Sequence, residues 1–244
     1  MKYLKTEAFV LHRDRNDQKF SSLLLFTREI GAVYAKARGL QKIGSKLAAK
    51  LEPGQEVDVD LYEAAEGVYI ITGAELISPT LPQAKDYDDM QLRFLMFEIL
   101  ARMLPKHEQN ERIYMFFKEV LKSFRESDKL IETVLVFITR LLKLLGYVED
   151  VKHCIQCEKS LKDTPEIYVH TFELAFYCSD CRPSHTAQKI SLSALKTFSF
   201  YLDHTFDTAL RLQVPEDIKK ELYSLLVRSV SDIIGRPLES LQYM

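Results

Sequence analysis

Ala32-Val33-Tyr34-Ala35-Lys36-Ala37-Arg38-Gly39-Leu40-Gln41-Lys42-Ile43-Gly44-Ser45-Lys46-Leu47-Ala48-Ala49-Lys50-Leu51-Glu52-Pro53-Gly54 carries the change of period that settles the architecture. Its first seven residues alternate, as in a half-buried strand. From Ser45 to Leu51 the pattern becomes that of a short helix, with Ser45 as N-cap, and Pro53-Gly54 ends it. On the N-terminal side, Arg28-Glu29-Ile30-Gly31 reads as a turn, with Gly31 free to take positive φ. It joins 32–38 to the apolar run Ser21–Thr27 as a hairpin, and Thr6–His12 forms a strand before that. On the C-terminal side, Val57–Tyr62 alternates cleanly, Glu66-Gly67 turns, and Val68–Ile77 pairs back. Three strands, a short helix and two strands are the order of a five-stranded OB-type barrel. The helix after the third strand separates it from a plain meander, and another small β-barrel is the alternative.

Beyond Pro79 and Pro82 the period becomes helical. Leu92, Leu95, Met96, Ile99, Leu100 and Met103 share one face, and Phe116, Phe117, Val120, Leu121 and Phe124 repeat the pattern. The 130–145 run is apolar almost all round, which predicts a buried central helix ended by Gly146. Leu192–Leu202 and Ile218–Ile234 give two more helices, the second opened by Pro215 and closed by Gly235. These stripes read as core, with no cofactor role. The expected class is α+β. An OB-fold barrel over 1–79 precedes an all-α domain over 80–150 and 187–244, which carries a zinc-ribbon-like insert over 151–186.

The chain has 244 residues, 47% of them hydrophobic and 28% charged, which excludes bulk disorder. No apolar run approaches the ~18 residues of a membrane span, and the first residues lack a signal-peptide core. A cytoplasmic protein with no membrane partner is expected. Net charge is only −2, yet residues 1–52 hold 11 Lys/Arg against 5 Asp/Glu, and residues 53–110 hold 4 against 11. Such a basic first fifth suggests a site for an anionic polymer, the alternative being a solvated face.

All four cysteines fall in one window, Cys154-Ile155-Gln156-Cys157 and, 20 residues on, Cys178-Ser179-Asp180-Cys181. Two residues between thiolates let one turn aim both sulfurs at one ion, and a hairpin over 166–177 brings the two turns together. Four soft thiolates predict one structural Zn²⁺ per chain with no open position for water; an iron–sulfur cluster or an apo redox pair are the alternatives. His153, His170 and His185 lie nearby and read as surface or supporting residues.

Gly39–Lys46 nearly spells a phosphate loop, but Ser45 and Lys46 are transposed, so Ser45 is better a helix cap. No hydrolase or dinucleotide motif is present, and Asp88-Asp89 and Glu149-Asp150 read as solvation and capping. From residue 28 to 50 the cations Arg28, Lys36, Arg38, Lys42, Lys46 and Lys50 face one acid, Glu29. Lys36 and Arg38 share a strand face, and Lys42, Lys46 and Lys50 share a stripe where the chain is helical. This corner is the expected nucleic-acid-binding patch, the alternative being a solvated face, and Arg13, Arg15 and Lys19 are candidates to extend it. Phe20, Phe26 and Tyr34 are available either to stack bases or to fill the core.

The chain resembles the bacterial recombination mediator family RecO along its whole length. The carrying residues are Glu7–Leu11, Leu25-Phe26-Thr27-Arg28-Glu29 with Gly31, Ala37-Arg38-Gly39 with Ser45-Lys46-Leu47, Leu141-Leu142 with Leu145-Gly146-Tyr147, and both CxxC pairs. The resemblance implies an OB fold, a helical domain with a zinc element, and no catalysis. It implies binding of single- and double-stranded DNA, annealing, and, with RecR, loading of RecA onto strands coated by single-stranded-DNA-binding protein. It also implies docking of that protein's acidic C-terminal tail on the helical domain. Arg140 and Lys143, which punctuate the 130–145 run, are the cations expected to meet the tail, unless both simply reach to solvent. Family members commonly have Gly after the first CxxC and Gly-Gly before the second; here Glu158 and Leu174-Ala175 stand there, so the hairpin is expected to be shaped differently. A protein–protein zinc adaptor without DNA binding is the alternative function.

Overall fold

The computed structural model describes residues 2–14, 20–42, 44–78, 86–126, 128–183 and 187–240. Arg15, Lys19, Pro79, Pro82 and His185 lie outside the described residues. The chain forms two compact units, residues 1–127 and 128–241.

The first unit holds β1 (Lys2–Asp14), β2 (Phe20–Thr27), β3 (Gly31–Arg38), α1 (Lys46–Lys50), β4 (Glu56–Ala65) and β5 (Val68–Ser78), then α2 (Tyr87–Met103) and α3 (Glu111–Glu126). The strands form a barrel in the order β1-β2-β3-β5-β4, closed by antiparallel β1–β4 pairing from Lys2↔Glu63 to Phe9↔Glu56. The β3–β5 contact is parallel and two residue pairs wide, Ala35↔Tyr69 and Lys36↔Ile70. Alternation turns Ala8, Val10, Leu23, Leu25, Val33, Ala35, Val57, Val59 and Leu61 into one core, joined by Leu40 and Leu51. Leu47 and Ala48 of α1 pack against that core, and Ser45 caps the helix by accepting from the Ala48 N–H.

The outer face of β1 and β2 is buried too. Phe9 and Phe26 are at most 1% exposed. The Tyr114 ring lies 4.9 Å from Phe9 and 5.4 Å from Phe26, and Phe117 lies 5.1 Å from Phe9 and 5.3 Å from Phe97. Because α2 and α3 cover the barrel, the compact unit that holds it extends through α3. Asp89 and Arg93 of α2 form a buried ion pair (Nε to Oδ1 2.5 Å, Nη2 to Oδ2 2.8 Å), while Asp86 is the N-cap, so Asp89 is no solvated cap residue.

The second unit holds α4 (Leu130–Leu144), β6 (Ile167–His170), β7 (Ala175–Cys178), β8 (Ala187–Ile190), α5 (Leu192–Asp203), α6 (Phe206–Arg211) and α7 (Glu216–Ile234). Every residue of α4 from Thr133 to Thr139 is buried, as its apolar run requires. The sheet is antiparallel in the order β7-β6-β8. Its strand β8 begins at Ala187, and α6 is a further short helix between α5 and α7. Glu158 (φ 59°) and Leu174 (φ 47°) occupy the left-handed region, so the chain keeps the turns that glycine would favour at those places.

Gly31 (φ +72°) is the tightest backbone approach of the first unit: an added Cβ would lie 1.9 Å from the Glu108 carbonyl oxygen. Gly44 (φ +80°) has nothing within 4 Å of such a Cβ. Gly31→Ala should lower stability by roughly 3 kcal/mol or more and Gly44→Ala by ~1 kcal/mol, read from urea unfolding midpoints. Equal losses would show that the loop does not lie on Gly31.

Candidate metal centre and nucleic-acid interface

The first CxxC sits on a turn in which the Cys154 N–H donates to Lys159 O (2.9 Å) and the Glu158 N–H to Cys154 O (2.8 Å). The Ile155 N–H donates to Phe176 O (3.0 Å), which ties this turn to β7. Cys178 ends β7, and Cys181 ends the 3₁₀ turn Ser179–Cys181. All four Sγ atoms lie within 4.8 Å of one another, with Cys157 and Cys178 3.7 Å apart. A tetrahedral ion with ~2.3 Å bonds to sulfur separates its ligands by about 3.8 Å, so the set fits a metal ion. Cys154 and Cys178 are buried, Cys157 is exposed and Cys181 is intermediate. His153 Nδ1 faces Asp150 (2.8 Å) and His170 Nδ1 faces Glu173 (3.8 Å), so neither is needed as a ligand.

Burial raises the Cys154 thiol, but backbone hydrogen bonds at Cys178, Cys157 and Gln156 outweigh it and hold it at about 6. Cys181, hydrogen-bonded to Cys157 and Cys178, is pushed up to about 12. Ionisation of Cys154 therefore stabilises the metal-free fold fully above its ordinary value, and that stabilisation is lost as pH falls through about 6. Cys181 acts in the opposite sense between its ordinary value and about 12. In the metal-free protein the stability held by Cys154 ionisation should fall away as pH drops through about 6, and Cys154→Ser should remove that fall, measured by urea unfolding in chelator. An unchanged acid limb in the variant would remove Cys154 as its cause.

The basic segment splits in two. Tyr34, Lys36 and Arg38 alternate outward along β3, and all three are exposed. The Arg38 guanidinium lies 4.8 Å from the centroid of Phe20, its cross-strand partner on β2. Lys42 and Lys46 are exposed beside them. Among the described residues Lys36, Lys42 and Lys46 make no ion pair.

The other two cations serve the fold. Arg28 lies at the far turn of the β2–β3 hairpin, about seven strand residues or ~23 Å from Arg38. It pairs there with Glu111 (Nε 3.0 Å, Nη2 2.6 Å to Oε1). Lys50 donates to Ala74 O (3.0 Å) and Glu75 (2.6 Å). Arg13, whose side chain is 4% exposed, donates to Leu40 O, Ala48 O and Glu52 and so pins α1 to β1 instead of extending the patch. Phe26 is core, and Tyr34 is 54% exposed.

Sequence reasoning missed Lys106. A bridge between Ala32 and Lys106 lays the α2–α3 loop beside β3, with Nζ 5.8 Å from the Tyr34 ring centroid. No local pattern could place it there, 72 positions from Tyr34. Nζ also donates to Ala101 O (2.8 Å), and burial lowers its pKa.

Arg140 Nε donates to Tyr201 O (3.0 Å) and Nη2 to His204 O, with the guanidinium 5.7 Å from the Phe206 ring. Lys143 Nζ reaches Leu202 O (3.4 Å). Both cations thus lie at the last carbonyls of α5, where positive charge complements the helix end.

Two family models match the chain: Recombination protein O N terminal over residues 1–80, and Recombination protein O C terminal over residues 84–242. The chain belongs to the RecO family. It is 27% identical over 234 residues to the DNA repair protein RecO of Caldanaerobacter subterraneus subsp. tengcongensis, covering 94% of this chain and 92% of that one. The DNA repair protein RecO of Thermoanaerobacter sp. (strain X514) is 26% identical over 236 residues (93% and 90%). That of Dehalococcoides mccartyi (strain ATCC BAA-2266) is 21% identical over 240 residues (98% and 94%). RecO membership assigns the chain to recombination mediation in DNA repair, and no helix among the described residues is long and apolar enough to cross a membrane.

Proposed function

We propose that this RecO-family protein works by holding DNA strands, without making or breaking bonds. The carrying observation is the outward row Tyr34-Lys36-Arg38 on β3 with Lys42 and Lys46 beside it: exposed cations without ion-pair partners among the described residues, next to an exposed aromatic ring. A cationic strand face with aromatics holds single strands with little sequence preference. Complementary strands held so can anneal, and the family relation supports work with RecR in loading RecA onto coated single strands. Arg28 and Lys50, engaged in ion pairs, contribute less than the other four. The cysteine set takes one structural Zn²⁺, because four thiolates suit that ion and complete its shell.

Binding should weaken roughly fifty-fold from ~50 to ~200 mM salt if about four phosphates are neutralised. Lys36→Glu with Arg38→Glu should weaken it more than Lys196→Glu with Lys220→Glu, two exposed lysines of the second unit, in fluorescence anisotropy with an oligonucleotide. Equal losses from the two pairs would move the site off β3. The same preparations should anneal complementary strands in the presence of single-stranded-DNA-binding protein; failure would remove the mediator reading while leaving DNA binding intact.

Elemental analysis of protein purified without chelator should find one zinc per chain. Zinc-free protein with reactive thiols would refute the metal assignment.

The acidic tail of single-stranded-DNA-binding protein remains the proposed ligand of the α4–α5 corner. Lys143→Glu is the better probe there, because Arg140→Ala would also uncap α5. Calorimetry should show weaker tail-peptide binding by Lys143→Glu with binding to naked DNA unchanged.

A further inference from the structure

A groove of about 730 Å³ lies between the β6–β7 turn and the end of α7 in the second unit. Its volume is within the ~300–1,000 Å³ range of small-molecule sites. His170, Thr171 and Phe172 line it from the turn, and Arg228, Asp232 and Arg236 from α7 and the residues after it. Phe172 is 54% exposed at the tip of the hairpin. Its ring is therefore accessible from solvent along the groove.

Among the lining residues two guanidinium groups stand against one carboxylate, and Glu173, next to Phe172, faces His170 (3.8 Å). Asp232 accepts from the buried Thr171 hydroxyl and lies 3.8 Å from Arg228 Nε. Arg236 is exposed and makes no ion pair among the described residues. The last carbonyls of α7 do not oppose an anion with free lone pairs alone: Ser231 O accepts from Gly235 N (2.9 Å) and Arg236 N (3.2 Å), and Asp232 O from Gly235 N (3.2 Å). Two guanidinium forks and a flat aromatic ring are the components that hold a phosphate and stack a base. An apolar peptide side chain would want a closed slot free of charge, and this groove is open and carries Arg228, Asp232 and Arg236.

We infer that this groove is a second single-strand contact, taking one or two nucleotides of a strand other than the one on the barrel. The inference rests on the strand-holding reading above. Annealing brings two strands together, and a single β3 face holds one at a time. A contact on the other unit lets one chain carry both.

The test counts strands per chain. Native mass spectrometry with saturating oligothymidylate of about 12 nucleotides, which cannot self-pair, should give two strands on the parent chain. Phe172→Ala, and separately Arg228→Ala with Arg236→Ala, should bind the second strand about tenfold more weakly, leaving the affinity of the first unchanged. All three side chains are exposed, so the fold should survive; circular dichroism checks that. Lys36→Glu with Arg38→Glu should remove the tighter strand and spare the groove. A parent that takes only one strand at saturation, or groove variants that still take two with parental affinity, would overturn the inference. In either case retained first-strand binding keeps the strand-holding reading, whereas a parent that binds no oligonucleotide ends both.

Discussion

Burial of β1 on both of its faces is the constraint from which the first unit follows. Ala8 and Val10 point into the barrel, while Phe9 points out, under Tyr114 and Phe117. Each fully buried large side chain of this kind contributes about 1.5–3 kcal/mol. A barrel strand with an aromatic on its outer face needs a cover, and α2 and α3 supply it. The cover fixes what remains open. The outer surface at the β2–β3 turn lies under the α2–α3 loop, and β3 shows its outward residues to solvent only from Tyr34 onward.

That geometry sorts the cations of the basic segment. Arg13, Arg28 and Lys50 sit where an acid or a helix carbonyl is within reach, and they join segments distant in sequence. Among the described residues, Lys36, Arg38, Lys42 and Lys46 have no acid as an ion-pair partner. A count of charges along the chain cannot make this distinction, because it depends on which residues the fold brings opposite. Glu111 is 83 residues from Arg28, and Glu52 is 39 from Arg13.

The barrel order, the short capped helix, the long helices and the four-cysteine cluster were legible in the sequence because each rests on local period or spacing. The outward row of β3 was legible for the same reason, since strand alternation alone puts Tyr34, Lys36 and Arg38 together. What was not legible depends on tertiary contact. Nothing near Lys106 marks it as a neighbour of Tyr34. The polar Gln188-Lys189 pair hid β8, whose partner β6 does the patterning. Arg140 and Lys143 looked like exposed charges in an apolar helix, but the end of α5 lies across from them. The departures at Glu158 and Leu174 changed residue type without changing backbone, because the surrounding turns hold both residues in the left-handed region.

The β3–β5 seam bears on how the barrel breathes. β1 and β4 are zipped over eight residue pairs, and β2 and β3 over eight more, but the parallel seam has two. Local opening costs least where the fewest backbone bonds must break. Amide protons beside the seam should then exchange with solvent sooner than those along β1–β4. Lys36 stands in that seam, paired with Ile70, while the other end of the hairpin is held by Gly31 against Glu108 and by Arg28 against Glu111. The barrel is therefore loosest beside the outward cations of β3 and tightest under the cover.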